Sequence, residues 1–146
     1  MQSRSGFCGT LCFLVGFGIF LPISFGQNLV TELKAEHDPA KRIEKALDLA
    51  GEAFDHARAS YGSGDVHKGD EQLDYMTAAL NECVNSLDVA HKARYYKKAE
   101  LKIAFLQRRM EGLVEDISVN DRGWADYTDR KLEEIHEKVL NGVMRK

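Results

Sequence analysis

Two acid–histidine pairs in the sequence have a spacing that can hold a metal ion. Glu133 and His136 stand three positions apart, and Asp88 and His91 repeat that spacing with aspartate in place of glutamate. On a helix this spacing places both side chains on one face, and helix bundles use such pairs to bind two iron ions. Neither pair lies on an apolar stripe. We therefore predict no metal ion or cofactor, and a metal- or cofactor-carrying bundle is the alternative.

Nucleophilic catalysis by a thiol would depend on Cys83, because the other two cysteines lie in the N-terminal segment that is predicted below to be removed as a signal peptide. Cys83 falls between Leu80 and Leu87 on an apolar stripe, a position typical of a small core residue rather than of an exposed thiolate. The chain contains no Gly-x-Ser-x-Gly, His-Glu-x-x-His or Cys-x-x-Cys-His sequence and no glycine-rich phosphate loop. We predict that the protein is not an enzyme.

Residues 93–109, "ARYYKKAELKIAFLQRR", concentrate positive charge in a chain that is otherwise acidic. The stretch has six basic residues and one acid, and Leu101 and Phe105 fall among the cations when it is projected on a helix. Apolar side chains framed by cations suit an amphiphilic or anionic partner. We therefore assign a binding face to Arg94, Lys98, Leu101, Lys102, Phe105 and Arg109.

The same stretch has a purely structural alternative with two parts. In the first part, the helix would be buried on two sides, which would hide Leu101 and Phe105. In the second part, its charge would be balanced within the protein. Residues 62–91 have a net charge of −5 and residues 92–109 of +6, although exposed ion pairs contribute only up to about 1 kcal/mol each. Nucleic acid is not expected as a partner, because the chain is net acidic and is predicted to leave the cytoplasm.

The N-terminal segment has the features of a secretory signal. No charged residue lies between Arg4 and Glu32, and the run "LCFLVGFGIFLPISF" is apolar. Ser24 and Gly26 supply the small residues that precede a cleavage site, so we place cleavage before Gln27. Residues 1–26 are then a signal peptide, and the protein is exported, to the periplasm. An uncleaved N-terminal anchor is the alternative.

Composition predicts a single helical domain. The chain has 146 residues, of which 44% are hydrophobic and 29% charged, and this length suits one domain. Its only prolines are at positions 22 and 39. A chain of 120 residues, from 27 to 146, is long enough to bury a core without disulfides.

Apolar residues recur in steps of three and four along four segments, which predicts four long helices. Residues 27–37 form a lead-in, and the domain spans residues 38–146. Asp38 and Pro39 mark the first helix start and Gly62 its end. Trp124 is assigned to the apolar stripe of the last helix. Short connections and equal lengths predict an antiparallel four-helix bundle.

The boundary between the second and third helices carries no glycine or proline. The apolar stripe nevertheless changes phase there, by a shift of two residues that turns the face by about 200°. We therefore place a turn near residues 88–95, and one long bent helix is the alternative.

The connection between the first two helices resembles the turn of a tetratricopeptide-type hairpin. The residues that carry the resemblance are Tyr61, Gly64, Asp65 and Gly69 in "YGSGDVHKG". The tyrosine–glycine spacing is one residue short, and Met76 stands where that family has a small residue. The resemblance covers residues 43–80 and occurs once, whereas a repeat array needs several copies. It implies a protein-binding scaffold.

These observations predict an exported, non-catalytic helical protein that acts as a binding scaffold or adaptor in the cell envelope. Its partner would be another envelope protein or a second copy of itself, with attachment to an anionic lipid or polymer as an alternative. No cofactor is expected.

Overall fold

The computed structural model describes residues 25–144, with side chains from residue 30 onward. This part of the chain forms five helices and no strand: α1 (Phe25–Ala35), α2 (Pro39–Gly62), α3 (Val66–Ala90), α4 (Ala93–Asp116) and α5 (Gly123–Met144). The all-α bundle predicted from the apolar periodicity is confirmed, with α2 to α5 as its four long helices. Apart from its last two residues, the predicted signal peptide lies outside the described residues.

Local signals determine where α2 begins and how it connects to α3. The Asp38 carboxylate accepts a hydrogen bond from the Ala40 amide at 2.9 Å, and Pro39 stands at the first helical position. After α2, Gly64 takes a φ of +82°, a conformation that favours glycine. Asp65 then caps α3 by accepting a hydrogen bond from the Lys68 amide at 3.2 Å. These contacts leave three residues between the two helices.

The connection between α3 and α4 is a tight turn, so the alternative of one long bent helix is wrong. His91 has a φ of +46°, in the left-handed region, and its amide donates to the Leu87 carbonyl at 3.0 Å. This geometry ends a helix, and glycine usually supplies it. Because histidine occupies the position, the turn has no obvious signature in the sequence.

The four long helices form two antiparallel hairpins, α2–α3 and α4–α5, placed side by side. In the bundle α2 lies next to α4, and α3 lies next to α5, while α3 and α4 meet only sparsely and, over the described residues, the backbones of α2 and α5 stay apart. Consecutive helices are antiparallel, so each of the neighbouring pairs α2–α4 and α3–α5 runs parallel. The core between the hairpins includes Ile43, Leu47, Phe54, Leu73, Met76, Leu80, Leu87, Ile103, Met110, Leu132 and Val139.

The predicted lead-in is itself helical and belongs to the packed structure. Helix α1 packs mainly against α3, and its Leu33 side chain is 1% exposed. The Arg42 guanidinium donates to the Glu36 carbonyl at 2.9 Å and lies 3.6 Å from the Glu82 carboxylate. Arg42 therefore ties the end of α1 to both α2 and α3. Across residues 25–144, no helix combines the length and the apolar character that a membrane crossing requires.

Candidate binding surfaces

The cations of the predicted binding face divide into two groups. Three of them pair with carboxylates of α2: Lys98 with Glu44 at 2.7 Å, Lys102 with Asp48 at 3.3 Å, and Arg109 with Asp55. Each pair joins residues 54 positions apart. A constant offset is what two parallel helices in register produce, and we call these three pairs the α2–α4 ladder.

The ladder corrects one part of the structural alternative. Three of the six cations of the basic stretch are balanced within the protein, but by α2 rather than by the acidic residues of 62–91. The reason is topological: α3 lies across the bundle from α4, whereas α2 lies beside it. Arg94, the fourth cation of the predicted face, instead donates a hydrogen bond to the Tyr95 hydroxyl at 2.7 Å and lies over the Tyr95 ring.

The other part of that alternative is wrong, because the two apolar residues are not hidden. Leu101 is 61% exposed and Phe105 is 56% exposed. Both point away from the core, one turn apart on α4. Lys97 and Arg108 flank them, and neither of these exposed cations forms an ion pair with any residue in the described range. We call Lys97, Leu101, Phe105 and Arg108 the outer strip of α4.

A shallow groove separates the outer strip from α2. It has a volume of about 390 Å³ and runs past Gly51, Glu52 and Phe105. Arg109 also lines it, with its guanidinium 4.4 Å from the Phe54 ring centre and 5.5 Å from that of Phe105. Cation–π contacts of this kind hold the arginine flat against the aromatic rings. Phe105 thus contacts Arg109 and still leaves more than half of its side chain exposed.

One member of each acid–histidine pair is engaged in ordinary contacts. His136 contacts α4 from α5, with Nδ1 2.8 Å from the side-chain amide oxygen Oε1 of Gln107 and Nε2 3.4 Å from the Glu100 carboxylate. Asp88 accepts a hydrogen bond from the Tyr96 hydroxyl at 2.9 Å. Over residues 25–144, no three histidine, cysteine, aspartate or glutamate side chains are grouped so that they could hold a metal ion.

The structure confirms that Cys83 is a core residue. Its side chain is fully buried, and burial raises the pKa of the thiol to about 12. Burial disfavours the charged thiolate, which is the form that attacks substrates or binds metals.

A second surface, which the sequence did not predict, lies between α3 and α5. A groove of about 590 Å³ is lined from α3 by Asp74, Thr77 and Asn81 and from α5 by Trp124, Tyr127, Lys131, Glu134 and Lys138. We call it the α3–α5 groove. The apolar-stripe assignment of Trp124 is wrong, since Trp124 is 41% exposed and Tyr127 is 44% exposed.

The two aromatic side chains of this groove are held in place by neighbours. Their ring centres lie 5.2 Å apart at an angle of 37°. The Trp124 indole N–H donates to an Asp74 carboxylate oxygen at 3.2 Å, and Lys131 lies 5.8 Å above the Tyr127 ring. Burial raises the pKa of Asp74, while the hydrogen bond from Trp124 opposes that rise. The two walls stand 50 residues apart in the chain, so no local pattern links them.

Comparison with known proteins found no matching family model, no similar curated protein and no similar solved structure.

Proposed function

We propose that the protein is an exported, non-catalytic helical scaffold that binds another protein of the cell envelope through the outer strip of α4. The observation that carries the proposal is the exposure of Leu101 and Phe105 on one face of a helix. Covering such side chains is worth about 1.5–3 kcal/mol each when burial is complete. An apolar pair flanked by cations is therefore a place where association is favourable.

The cations beside the apolar pair indicate the kind of partner that this surface fits. Lys97 and Arg108 keep their charges free of ion pairs within the described residues, and they lie beside Leu101 and Phe105. A partner helix with apolar residues flanked by Asp or Glu complements this surface. A symmetric dimer through the same strip would place cations opposite cations, which disfavours a second copy of the chain.

A bare anionic membrane is a weaker fit to the same surface. Three of the cations that the sequence suggested for it, Lys98, Lys102 and Arg109, are already neutralised by the α2–α4 ladder. Their attraction for a lipid surface is correspondingly reduced. Export itself is proposed from the N-terminal leader, and sequencing of the cell-associated protein should give Gln27 as the first residue.

Crosslinking from inside the cell can test the proposal. A photoreactive phenylalanine derivative at Phe105 should capture one envelope protein, and the same probe at Glu133, on the exposed face of α5, should not. The captured protein, once purified, should bind the scaffold directly. Replacing Leu101 and Phe105 with serine should weaken that binding by at least about tenfold, which corresponds to 1.4 kcal/mol.

A charge-reversal variant supplies the second arm of the test. Lys97→Glu together with Arg108→Glu should also weaken binding while leaving the circular dichroism spectrum of the scaffold unchanged. Binding that survives both pairs of substitutions would overturn the assignment of the strip. A crosslinked product with twice the mass of the chain would show that the strip binds a second copy of the chain. If the purified protein bound anionic vesicles through this strip and captured no protein, the partner would be a membrane.

A further inference from the structure

We propose that the α3–α5 groove binds a neutral saccharide chain, with Trp124 and Tyr127 as the platform on which sugar rings stack. This site lies between α3 and α5 and does not include the outer strip of α4. The inference therefore does not depend on the protein partner proposed above.

The aromatic pair supplies the first argument. Trp124 and Tyr127 stand one turn apart at the start of α5, and both rings are partly exposed along one wall of the groove. Their centres are 5.2 Å apart and their planes are tilted by 37°, so the two rings are direct neighbours along the wall. The face of an aromatic ring is electron-rich. The C–H groups on the apolar face of a sugar ring carry slight positive charge and pack well against such a surface.

The fixed position of the platform supplies the second argument. Asp74 holds the Trp124 indole through a 3.2 Å hydrogen bond. The Lys131 ammonium lies 5.8 Å from the centre of the Tyr127 ring and is itself paired with Glu134 at 2.8 Å. Side chains already ordered in the free protein lose little entropy when a ligand binds.

The polar lining supplies the third argument, because it offers hydrogen bonds without net charge. Asp74 and Glu134 are matched by Lys131 and Lys138 around the groove. Asn81 is exposed, and its amide has no partner among the described side chains. The Thr77 hydroxyl donates to the Leu73 carbonyl at 3.0 Å, which leaves its oxygen free to accept. A polyol presents donors and acceptors of the same kind.

These features separate a saccharide from two other ligands that bind aromatic grooves. A quaternary ammonium group needs a net-acidic surround, whereas the acids lining this groove, Asp74 and Glu134, are matched by Lys131 and Lys138. A proline-rich peptide needs a groove lined mainly by aromatic rings, whereas one wall here is Asp74, Thr77 and Asn81. The volume of about 590 Å³ is within the range of ligand sites.

The single tryptophan of the chain makes the test direct. Purified protein should be titrated with a neutral hexasaccharide of β-1,4-linked glucose and with its N-acetylated counterpart, while Trp124 fluorescence is recorded. We expect a saturable change in emission with at least one of them. Tyr127→Ala and Asn81→Ala should each weaken binding by about tenfold or more, in the range of a lost contact residue.

Matched variants distinguish stacking from other effects. Tyr127→Phe keeps the ring and should retain binding, and Leu101→Ser, on the outer strip of α4, should bind as the unaltered chain does. No saturable response to either hexasaccharide would overturn the proposal. So would tighter binding of a polyproline peptide or of choline, or equal binding by Tyr127→Ala and Tyr127→Phe.

Discussion

Cys83 illustrates how burial changes the chemistry of a single residue. Its side chain is fully enclosed by the core, and burial raises the pKa of the thiol to about 12. We expect Ellman's reagent to modify the folded chain 27–146 at least about a hundredfold more slowly than the denatured chain, because the reactive thiolate is scarce and inaccessible. In guanidinium the reaction should reach one thiol per chain. Rapid modification of the folded protein would contradict the buried position.

Asp129 is a partly buried carboxylate surrounded by other acidic side chains. One of its carboxylate oxygens is buried without a hydrogen-bond partner among the described residues. Its pKa is raised by burial and then by the neighbouring Glu111, Glu133 and Asp126. A raised pKa in the folded state means that the ionised carboxylate destabilises the fold at neutral pH.

We therefore expect Asp129→Asn to stabilise the protein at pH 7. Solvent screens the partly exposed group, so the gain in unfolding free energy should stay near or below about 1 kcal/mol. The gain should shrink as the pH falls through the folded-state pKa and vanish below the unfolded value of about 3.9, where Asp129 is neutral in both the folded and the unfolded state. Urea unfolding at several pH values measures it. Glu115→Gln, an exposed change of the same charge on α4, should show no such trend.

At the scale of elements, a glycine packs closely against a tyrosine ring where α2 and α3 meet. A Cβ atom added to Gly69 would lie 2.7 Å from the Tyr61 ring, and the Tyr61 hydroxyl is hydrogen-bonded to Asp70. Gly69→Ala should therefore cost about 1–3 kcal/mol through overpacking. Gly112→Ala, in open space on α4, should stabilise by about 0.5–1 kcal/mol. Thermal unfolding measures both, and equal shifts would contradict the close contact.

The turn at His91 provides a similar comparison. His91→Ala and His91→Gly remove the same side chain but differ in how well they tolerate a φ of +46°. The glycine variant should be the more stable of the two by about 1 kcal/mol, because alanine is strained in the left-handed region. Chemical denaturation of the two variants measures the difference. If alanine were equal or better, residues 91 and 92 would continue a helix in solution.

Local signals explain which elements were predictable from the sequence. Asp38, Pro39 and Gly62 mark the ends of α2 because capping depends on neighbours in the chain. The α2–α4 ladder was not predictable, since its 54-residue offset depends on which helices become neighbours. The same holds for the Trp124–Asp74 contact. Capping and periodicity are local properties, whereas both candidate surfaces combine side chains from separate elements.

At the scale of the whole molecule, the two antiparallel hairpins meet along the two parallel helix pairs. The hairpins α2–α3 and α4–α5 are the most extensive contacts of the bundle. The parallel pairs also share polar side chains at the surface: the ladder between α2 and α4, and the Trp124–Asp74 hydrogen bond between α3 and α5. Each parallel pair leaves a groove. The residues available for binding therefore lie where the two hairpins meet.

The packing of α1 determines where the folded unit begins, at residue 38 or within the preceding segment. The polar sequence of residues 27–37 predicted a lead-in, but Leu33 is 1% exposed and α1 packs against α3. Leu33→Ala should lower the unfolding free energy by about 2–5 kcal/mol, as truncation of a buried leucine does. The exposed neighbour Glu32 is the matched control, and Glu32→Ala should change stability by less than about 0.5 kcal/mol. If the two substitutions had equally small effects in urea unfolding, the bundle would be complete without α1.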